Sequence, residues 1–312
     1  MTKVSVIIPT FNRENYITEA IGSVFSQTYR NFEIIVIDDG STDNTKQVLN
    51  KYNGQIKYFY KENGGKASAR NFGITKSNGA YIAFLDSDDI WNHTILEEEI
   101  KFLKTNFYDM VYSSMVMKNQ KGDIIGRKPS KPQIGTFCWM LKNYGHIPVS
   151  TVLIRKQCLI KVGYFDVNLR VMEDFDWCLR VAQNCRIGFL NKDLAIYRIH
   201  KNNVSHKEHL FHHAKIYIAS KYMRNHEVKS KYESVLVSQL VKNKYLLSKF
   251  YYLNNNFLNC LKLNLNALVF DPFLGKKFWE KNDTFFKKLT KFVNPYGLFL
   301  LSFMRYLLKK ND

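Results

Sequence analysis

Along the first two hundred residues, short runs of consecutive apolar residues alternate with stretches in which apolar positions recur every three or four residues. Val4 to Ile8 is β-branched but for Ser5, and Ile34 to Ile37, within 33–38, is a second such run. Both are too apolar for strands with one wet face, so they are expected to be central strands covered on both sides. Between them Ile17, Ala20, Ile21, Val24 and Phe25 recur at helical spacing, which predicts a helix over 14–26 packed on that sheet. Ile56 to Phe59 predicts a third strand, Lys66 to Thr75 a helix opened by Gly64-Gly65, and Tyr81 to Leu85 a fourth strand. Thr94 is expected to cap a helix running to about Asn106, with Leu96, Ile100 and Leu103 inward. Strands at 109–117 and 149–155, a helix at 173–184 and a last strand at 186–198 complete the pattern. Strands and helices in alternation indicate an α/β fold with a mostly parallel central sheet flanked by helices.

The texture changes near His206. Glycine becomes rare, leucine, aromatics and lysine dominate, and Asp271-Pro272 and Asn294-Pro295 mark breaks. The division expected is an α/β domain over 1–205 and a mainly helical, basic extension over 206–312. Charge follows the same division: residues 1–200 hold 26 Lys+Arg against 20 Asp+Glu, and the remainder holds 20 against 7. A net charge of +19 with most of its excess in a tail points to an anionic partner: nucleic acid, a membrane face or a phosphorylated substrate. Tyr296 to Lys310 sets Leu298, Leu301 and Leu308 among Phe299, Phe303 and Tyr306 and ends in Lys309-Lys310. That is either an interfacial amphipathic helix with its lysines toward anionic lipid, or a core or dimer-forming helix. The longest stretch free of charge and histidine, Phe292 to Met304, has 13 residues, short of the roughly 20 that span a bilayer. Met1 leads straight into a strand without a signal-peptide pattern, so a cytoplasmic protein, at the inner face of the membrane, is expected. Five cysteines without a C-x-x-C pair read as reduced, mostly buried thiols. His206, His209, His212 and His213 read as a solvated stripe facing lipid phosphate rather than as a metal site.

Candidate chemistry lies at the predicted strand ends. Phe84-Leu85-Asp86-Ser87-Asp88-Asp89 is an apolar strand that ends in three carboxylates. Like charges grouped there repel one another and are costly unless a cation sits among them. Oxygen ligands favour a hard ion such as Mg2+ or Mn2+, completed by water and substrate phosphates. The carboxyl end of a parallel strand is also where open α/β sheets bind ligands. Asp38-Asp39, followed by Gly40-Ser41-Thr42-Asp43, forms a second group. A carboxylate there accepts hydrogen bonds from a sugar or a base, uracil N3–H being one such donor, or else Asp38 or Asp43 caps the next helix.

Five segments occur in order: Val4 to Asn12 (VSVIIPTFN), Ser26 to Asp43 (SQTYRNFEIIVIDDGSTD), Asn63 to Asn71 (NGGKASARN), Phe84 to Asp89 (FLDSDD), and Glu173-Asp174 before a predicted helix. Over roughly residues 3–205 the chain thereby resembles the family 2 glycosyltransferases, enzymes of the GT-A fold. The resemblance implies inverting, metal-dependent transfer of a sugar from a nucleotide-sugar donor, UDP-linked, to an acceptor hydroxyl; the charge asymmetry alone points to a glycan or lipid-linked acceptor at the membrane face, in bacterial surface polysaccharide synthesis. It places Pro9, Thr10 and Phe11 around the nucleotide, with Phe11 stacking on the base, and makes Asp39 the reader of uracil. Arg70 and Lys66 would offset the diphosphate charge. Asp86, with Ser87 beside it, would hold the ribose or a metal-bound water. Asp88 would hold the ion, Mn2+ or Mg2+, with Asp86 and His200 of Tyr197-Arg198-Ile199-His200 as further ligands. Asp174 would be the general base and Glu173 its orienting neighbour. Trp91 either lines the sugar pocket or packs in the core, Trp177 and Cys178 belong to the core, and loops around 118–148 would read the acceptor. The Q-x-x-R-W run of processive members is absent, which implies transfer of one sugar at a time.

Two other classes compete with this reading. A nucleotidyltransferase acting on sugar phosphates would want a Gly-rich phosphate loop after the first strand, and Pro9-Thr10-Phe11-Asn12 is not one. A nucleic-acid binder would suit the +19 charge but not carboxylates grouped at strand ends, so no nucleic-acid partner is expected. The charge asymmetry carries its own test. The full chain is expected to float with anionic liposomes and a chain ending near His206 to stay behind; equal behaviour of the two removes the membrane role of the tail.

Overall fold

The computed structural model describes residues 3–129, 137–145, 147–200 and 208–256, together with 258–260, 262–263 and 266. The chain divides into two compact units, Met1–Asn203 and Val204–Asp312. The first is built on one nine-stranded sheet. Its parallel half is β3 (Lys57–Tyr60), β2 (Phe32–Asp38), β1 (Val4–Thr10) and β4 (Tyr81–Phe84), side by side in that order. The other half continues through β8 (Val152–Arg155), β6 (Met110–Lys118) and β9 (Ile187–Arg198) to the two-residue β5 (Ile90–Trp91). There β6 and β9 are parallel, while β8 and β5 run antiparallel to their neighbours. The ninth strand, β7 (Ile124–Lys128), pairs with β6 as a hairpin, and so short a connection allows only antiparallel pairing.

The continuous apolar runs are explained by what covers each face. Val4, Val6 and Ile8 of β1 join Ile34 and Val36 of β2 and the inner side of α1 (Ile17–Phe25) in one cluster, with α4 (Ile95–Thr105) extending it. On the opposite face α3 (Gly65–Lys76) lies over β1 and β2. Gly73 makes that approach possible, because a Cβ there would stand 2.5 Å from Ile7 Cγ2. A residue wetted on neither side has no reason to alternate.

Several local expectations change on contact with tertiary structure. Thr94 precedes α4, but its hydroxyl donates to Asn92 Oδ1 (3.1 Å) instead of capping the helix. Residues 118–148, read as loops, include β7 and α5 (Phe137–Asn143). Cys158, in α6 (Lys156–Val162), and Cys185, after α7 (Glu173–Asn184), form a disulfide with Cα atoms 6.7 Å apart, which corrects the expectation of five reduced thiols. They are 27 residues apart in sequence, and the packing of α6 on α7 brings them together. Cys138, Cys178 and Cys260 form no disulfide.

The second unit holds α8 (Glu208–Met223) and α9 (His226–Leu253), packed on each other, with Asn225 accepting from the Val228 amide (3.0 Å) to cap α9. The expected solvated histidine stripe is instead part of the seam between these helices. His209 stacks on Phe250 (4.6 Å), His212 Nδ1 lies 3.0 Å from Asn243 Oδ1, and His213 Nε2 lies 3.0 Å from the Tyr251 hydroxyl. His206 and the segment Tyr296 to Lys310 lie outside the described residues. Among the described residues no helix is long and apolar enough to cross a membrane.

One buried carboxylate on β2 makes the sheet sensitive to acid. Burial alone would raise the Glu33 carboxyl. The Ser5 hydroxyl (2.5 Å), Lys57 (2.9 Å), the Asn78 amide (2.7 Å) and Lys3 (3.1 Å) outweigh it and bring it from an ordinary 4.5 down to about 2. A carboxyl more acidic in the folded than in the unfolded chain adds stability above pH 4.5 and loses it as the pH falls toward 2. Urea midpoints measured through that window should fall more steeply for the wild type than for Glu33→Gln. Equal slopes would show that Glu33 is not the group that titrates.

Candidate active site

The in-register parallel strands place their carboxyl ends at one edge, with Thr10 beside Asp38 and Asp38 beside Tyr60. Pro9 and Thr10 end β1 as buried residues, and Phe11, just beyond, is 44% exposed. The Thr10 carbonyl accepts from the Asp39 amide (2.9 Å), while its hydroxyl is buried without a hydrogen-bond partner. Asp39 is buried and its carboxylate organises the neighbouring turn. It accepts from Lys61 Nζ (2.7 Å), Gly64 N (3.0 Å) and Gly65 N (2.7 Å), and Asn63 Nδ2 donates to its carbonyl (2.8 Å). Gly65 holds a φ of +86°, a left-handed conformation that suits glycine, so Gly64-Gly65 opens α3 for a conformational reason. Asp38 and Asp43 are structural. Asp38 accepts from Ser41 N (2.8 Å) and the Tyr58 hydroxyl (2.8 Å), and Asp43 accepts from the Thr45 amide (3.0 Å) at the start of α2 (Thr45–Leu49).

After β4 the acidic turn enters a nest of cations. Asp86 is held on both oxygens, Oδ1 by Arg70 Nη2 (2.6 Å) and Oδ2 by Lys66 Nζ (3.0 Å). Ser87 is buried between Asp86 and Asp88. Asp88 Oδ2 accepts from Arg13 Nε (3.1 Å) and lies 3.1 Å from His200 Nε2. The pairing of β5 with β9 brings His200 there. Ile90 stands opposite Ile196, so in an antiparallel register Arg198 comes opposite Asp88, and Arg198 Nε donates to the Asp88 carbonyl (2.5 Å). Tyr16 fills the corner, stacked on His200 (4.8 Å) with the Arg198 guanidinium over its ring at 4.9 Å. Burial would raise the Asp88 carboxyl, but the His200 hydrogen bond and the charges of Lys66 and Arg13 overcome it and hold it below the ordinary carboxylate range. Asp89 goes the other way, pushed well up by burial and then by Asp88 and Asp86, with Ser150 Oγ donating to its Oδ2 at 2.5 Å.

Glu173 and Asp174 open α7, next to Met172 at a left-handed φ of +62°. Glu173 is buried and paired to Arg70 Nη1 (2.7 Å); burial, then repulsion from Asp174, raises its carboxyl. Asp174 is half-buried and accepts from the Phe175 amide (2.7 Å). Thus Asp86, Asp88, Lys66, Arg70, His200 and Glu173 converge, with Asp174 beside them, while Pro9, Thr10, Phe11 and Asp39 occupy the same edge toward β2. Trp91 is buried and donates from Nε1 to the Ser150 carbonyl (2.6 Å), which makes it a packing residue, and Trp177 and Cys178 are fully in the core. Arg13, Tyr16 and Ser150 were not singled out in the sequence. Arg13 directly follows the first motif, but a cation after a strand end ordinarily reads as solvated; Ser150 carries no local signal.

A carboxylate oxygen and an imidazole nitrogen at Asp88 and His200 can both ligate a divalent transition ion such as Mn2+, and the same oxygen accepts from Arg13 Nε. Two adjacent ligands of an octahedral ion at about 2.1 Å stand about 3 Å apart, and Asp88 Oδ2 and His200 Nε2 are separated by 3.1 Å. Among the described residues no group of three or more His, Cys, Asp or Glu encloses a metal, so substrate oxygens and water would complete the shell.

Residues 5–163 match the profile of the family described as Glycosyl transferase family 2. An uncharacterized glycosyltransferase of Rickettsia felis is 40% identical over 200 residues, 64% of this chain and 33% of that protein, so the chain spans about a third of that relative. The Escherichia coli UDP-Glc:alpha-D-GlcNAc-diphosphoundecaprenol beta-1,3-glucosyltransferase WfgD is 34% identical over 206 residues, covering 65% of this chain and 79% of WfgD. The crystal structure of S. aureus TarS 1-349 in complex with UDP-GlcNAc has a TM-score of 0.64 over 88% of this chain and 83% of that one, at 23% identity, a likeness of fold. With a matched profile over half its length, a GT-A fold and the motif residues gathered at one sheet edge, the chain belongs to the family 2 glycosyltransferases.

Proposed function

We propose that this chain is an inverting glycosyltransferase that moves one sugar from a UDP-sugar to a hydroxyl of a glycan or lipid-linked acceptor in surface polysaccharide synthesis. The observation that carries the reading is the joining of the acidic turn, through Asp86, to Glu173 beside Asp174 across the single residue Arg70, with Asp88 and His200 meeting at the far side of that turn. The relatives support the substrate classes: WfgD is named for a UDP-Glc donor and a diphosphoundecaprenol-linked acceptor, and TarS was crystallised with UDP-GlcNAc.

The edge of the sheet would take the donor with its uracil against Phe11 and Asp39, its ribose at Asp86 and its diphosphate toward Lys66. Both oxygens of Asp86 already accept from cations, and each keeps a lone pair for a ribose hydroxyl or a bound water. Asp88 and His200 would hold Mn2+ or Mg2+, which supplies charge neutralisation to the departing diphosphate. Lys66, with a side chain 45% exposed, adds a positive charge on the same side. Asp174 takes the proton of the acceptor hydroxyl as that oxygen forms its bond to C1 and the bond from C1 to the phosphate oxygen breaks. One base and one displacement invert the anomeric centre. Glu173 cannot serve equally, because its carboxylate is buried and engaged by Arg70. The acceptor would be met at the cytoplasmic face of the membrane, where the basic excess of residues 201–312 faces anionic lipid.

Release of UDP by the purified chain from a panel of UDP-, GDP- and dTDP-sugars, with acceptor glycans and Mn2+, tests the reaction. Asp174→Asn should lower kcat on the order of a thousandfold and leave calorimetric UDP binding intact, whereas Asp88→Ala should lose the Mn2+-dependent part of that binding. Turnover that survives in Asp174→Asn would remove it as base. A further test concerns Asp39 in the ligand-free protein. Since its carboxylate holds two backbone amides and Lys61, Asp39→Ala should lower stability by about 2 kcal/mol and reduce the Tm. An unchanged Tm would mean that the turn stands without it and the carboxylate serves the base alone.

A further inference from the structure

In NGGKASARN the arginine is the residue expected at the diphosphate, yet its side chain is only 1% exposed and both terminal nitrogens are committed to carboxylates. Nη2 donates to Asp86 Oδ1 (2.6 Å) at the end of β4, and Nη1 donates to Glu173 Oε1 (2.7 Å) at the start of α7. The remaining Nε is buried without a hydrogen-bond partner. The guanidinium also lies over the Phe165 ring (5.4 Å), which stacks on Trp177 of α7 (4.9 Å) and meets Phe84 of β4 edge to face (5.4 Å). Asn71, next along α3, clamps the same loop: its Nδ2 donates to the Phe165 carbonyl (2.9 Å) and its Oδ1 accepts from the Phe165 amide (2.8 Å). Arg70 and Asn71 therefore tie the acidic end of β4 to the approach and first turn of α7. Lys66, one turn earlier on α3, covers the other oxygen of Asp86 and still reaches solvent, which leaves it as the cation open to a phosphate.

We infer that Arg70, supported by Asn71, is a positioning residue that braces the donor-side carboxylate Asp86 against the base-bearing start of α7, and not a diphosphate ligand; this rests on the glycosyltransferase reading above. A planar guanidinium presents two donors in a rigid fork and so fixes two carboxylates at once, which an ammonium at the end of a flexible stem does not. Asp174 adjoins Glu173, so a shift of the Glu173 anchor moves the base. A misplacement of about 1 Å at a reacting centre costs on the order of a hundredfold in rate.

The test compares the full wild-type chain with Arg70→Lys and Arg70→Met for kcat and donor KM in the transfer assay, and for the Kd of UDP with Mn2+ by calorimetry. A brace predicts that kcat falls by about a hundredfold while donor KM and UDP Kd stay within about threefold of wild type. A UDP Kd weakened roughly tenfold or more with kcat preserved would overturn the inference and return Arg70 to the diphosphate. Unaltered kcat in Arg70→Lys and Arg70→Met would also overturn it, and would leave the glycosyltransferase reading standing. If neither variant gives a cooperative melt, Glu173→Gln decides, since it weakens one arm of the brace at nearly constant volume. Lowered kcat with retained UDP affinity upholds the brace, and unchanged kcat overturns it. A wild-type chain that neither binds UDP nor turns over any donor overturns the parent reading, and the inference with it.

Discussion

Carrying the Arg70 charge into the interior costs several kcal/mol unless opposite charge meets it with good geometry, and Asp86 and Glu173 meet it from two sides at 2.6 and 2.7 Å. The dependence is mutual. Asp86, Asp88 and Asp89 stand within four residues, and Glu173 and Asp174 are adjacent, so the site gathers more negative charge than a buried edge tolerates by itself. Arg70, Lys66 and Arg13 offset it in place, and each comes from an element that must already be packed: α3 against β1 and β2, and the residues after β1 beside the acidic turn. The residual strain appears in Asp89 and Glu173, whose carboxyls are pushed up because burial and like charge act on them together.

Two features of the sheet make this gathering possible. Parallel registration of β1, β2, β3 and β4 aligns their carboxyl ends, which turns four separate loops into one edge. The two residues of β5 supply the second feature. By pairing briefly with β9 they bring Asp88 against Arg198, the last residue of that strand, and His200 just beyond it, more than a hundred residues later. Side chains from the middle and the far end of the domain are thus joined by antiparallel register, and Tyr16 packs against His200 and Arg198.

Much of this was legible along the chain. The buried strands follow from unbroken apolar runs, since neither face meets water, and α1 and α4 from the spacing of apolar residues, because a face removed from water must repeat with the period of its element. The strand-end carboxylates Asp39, Asp86 and Asp88 were legible for a related reason: a charge that interrupts an apolar run has to be matched by something. The disulfide between Cys158 and Cys185, the hairpin of β7 and the interhelical histidines were not, since each depends on which segments pack together and none leaves a periodic trace.

The sequence by itself determined an α/β domain of family 2 glycosyltransferase character, a basic helical region after it, and which carboxylates end its apolar strands. Only the tertiary structure decided how those charges are paired. Arg70 and Lys66 lie four residues apart on one helix and look equivalent in sequence. One is buried between Asp86 and Glu173 and the other remains half in solvent. The physical reason is that a charge is positioned by the partners and dielectric around it, and these are set by elements up to 103 residues away along the chain.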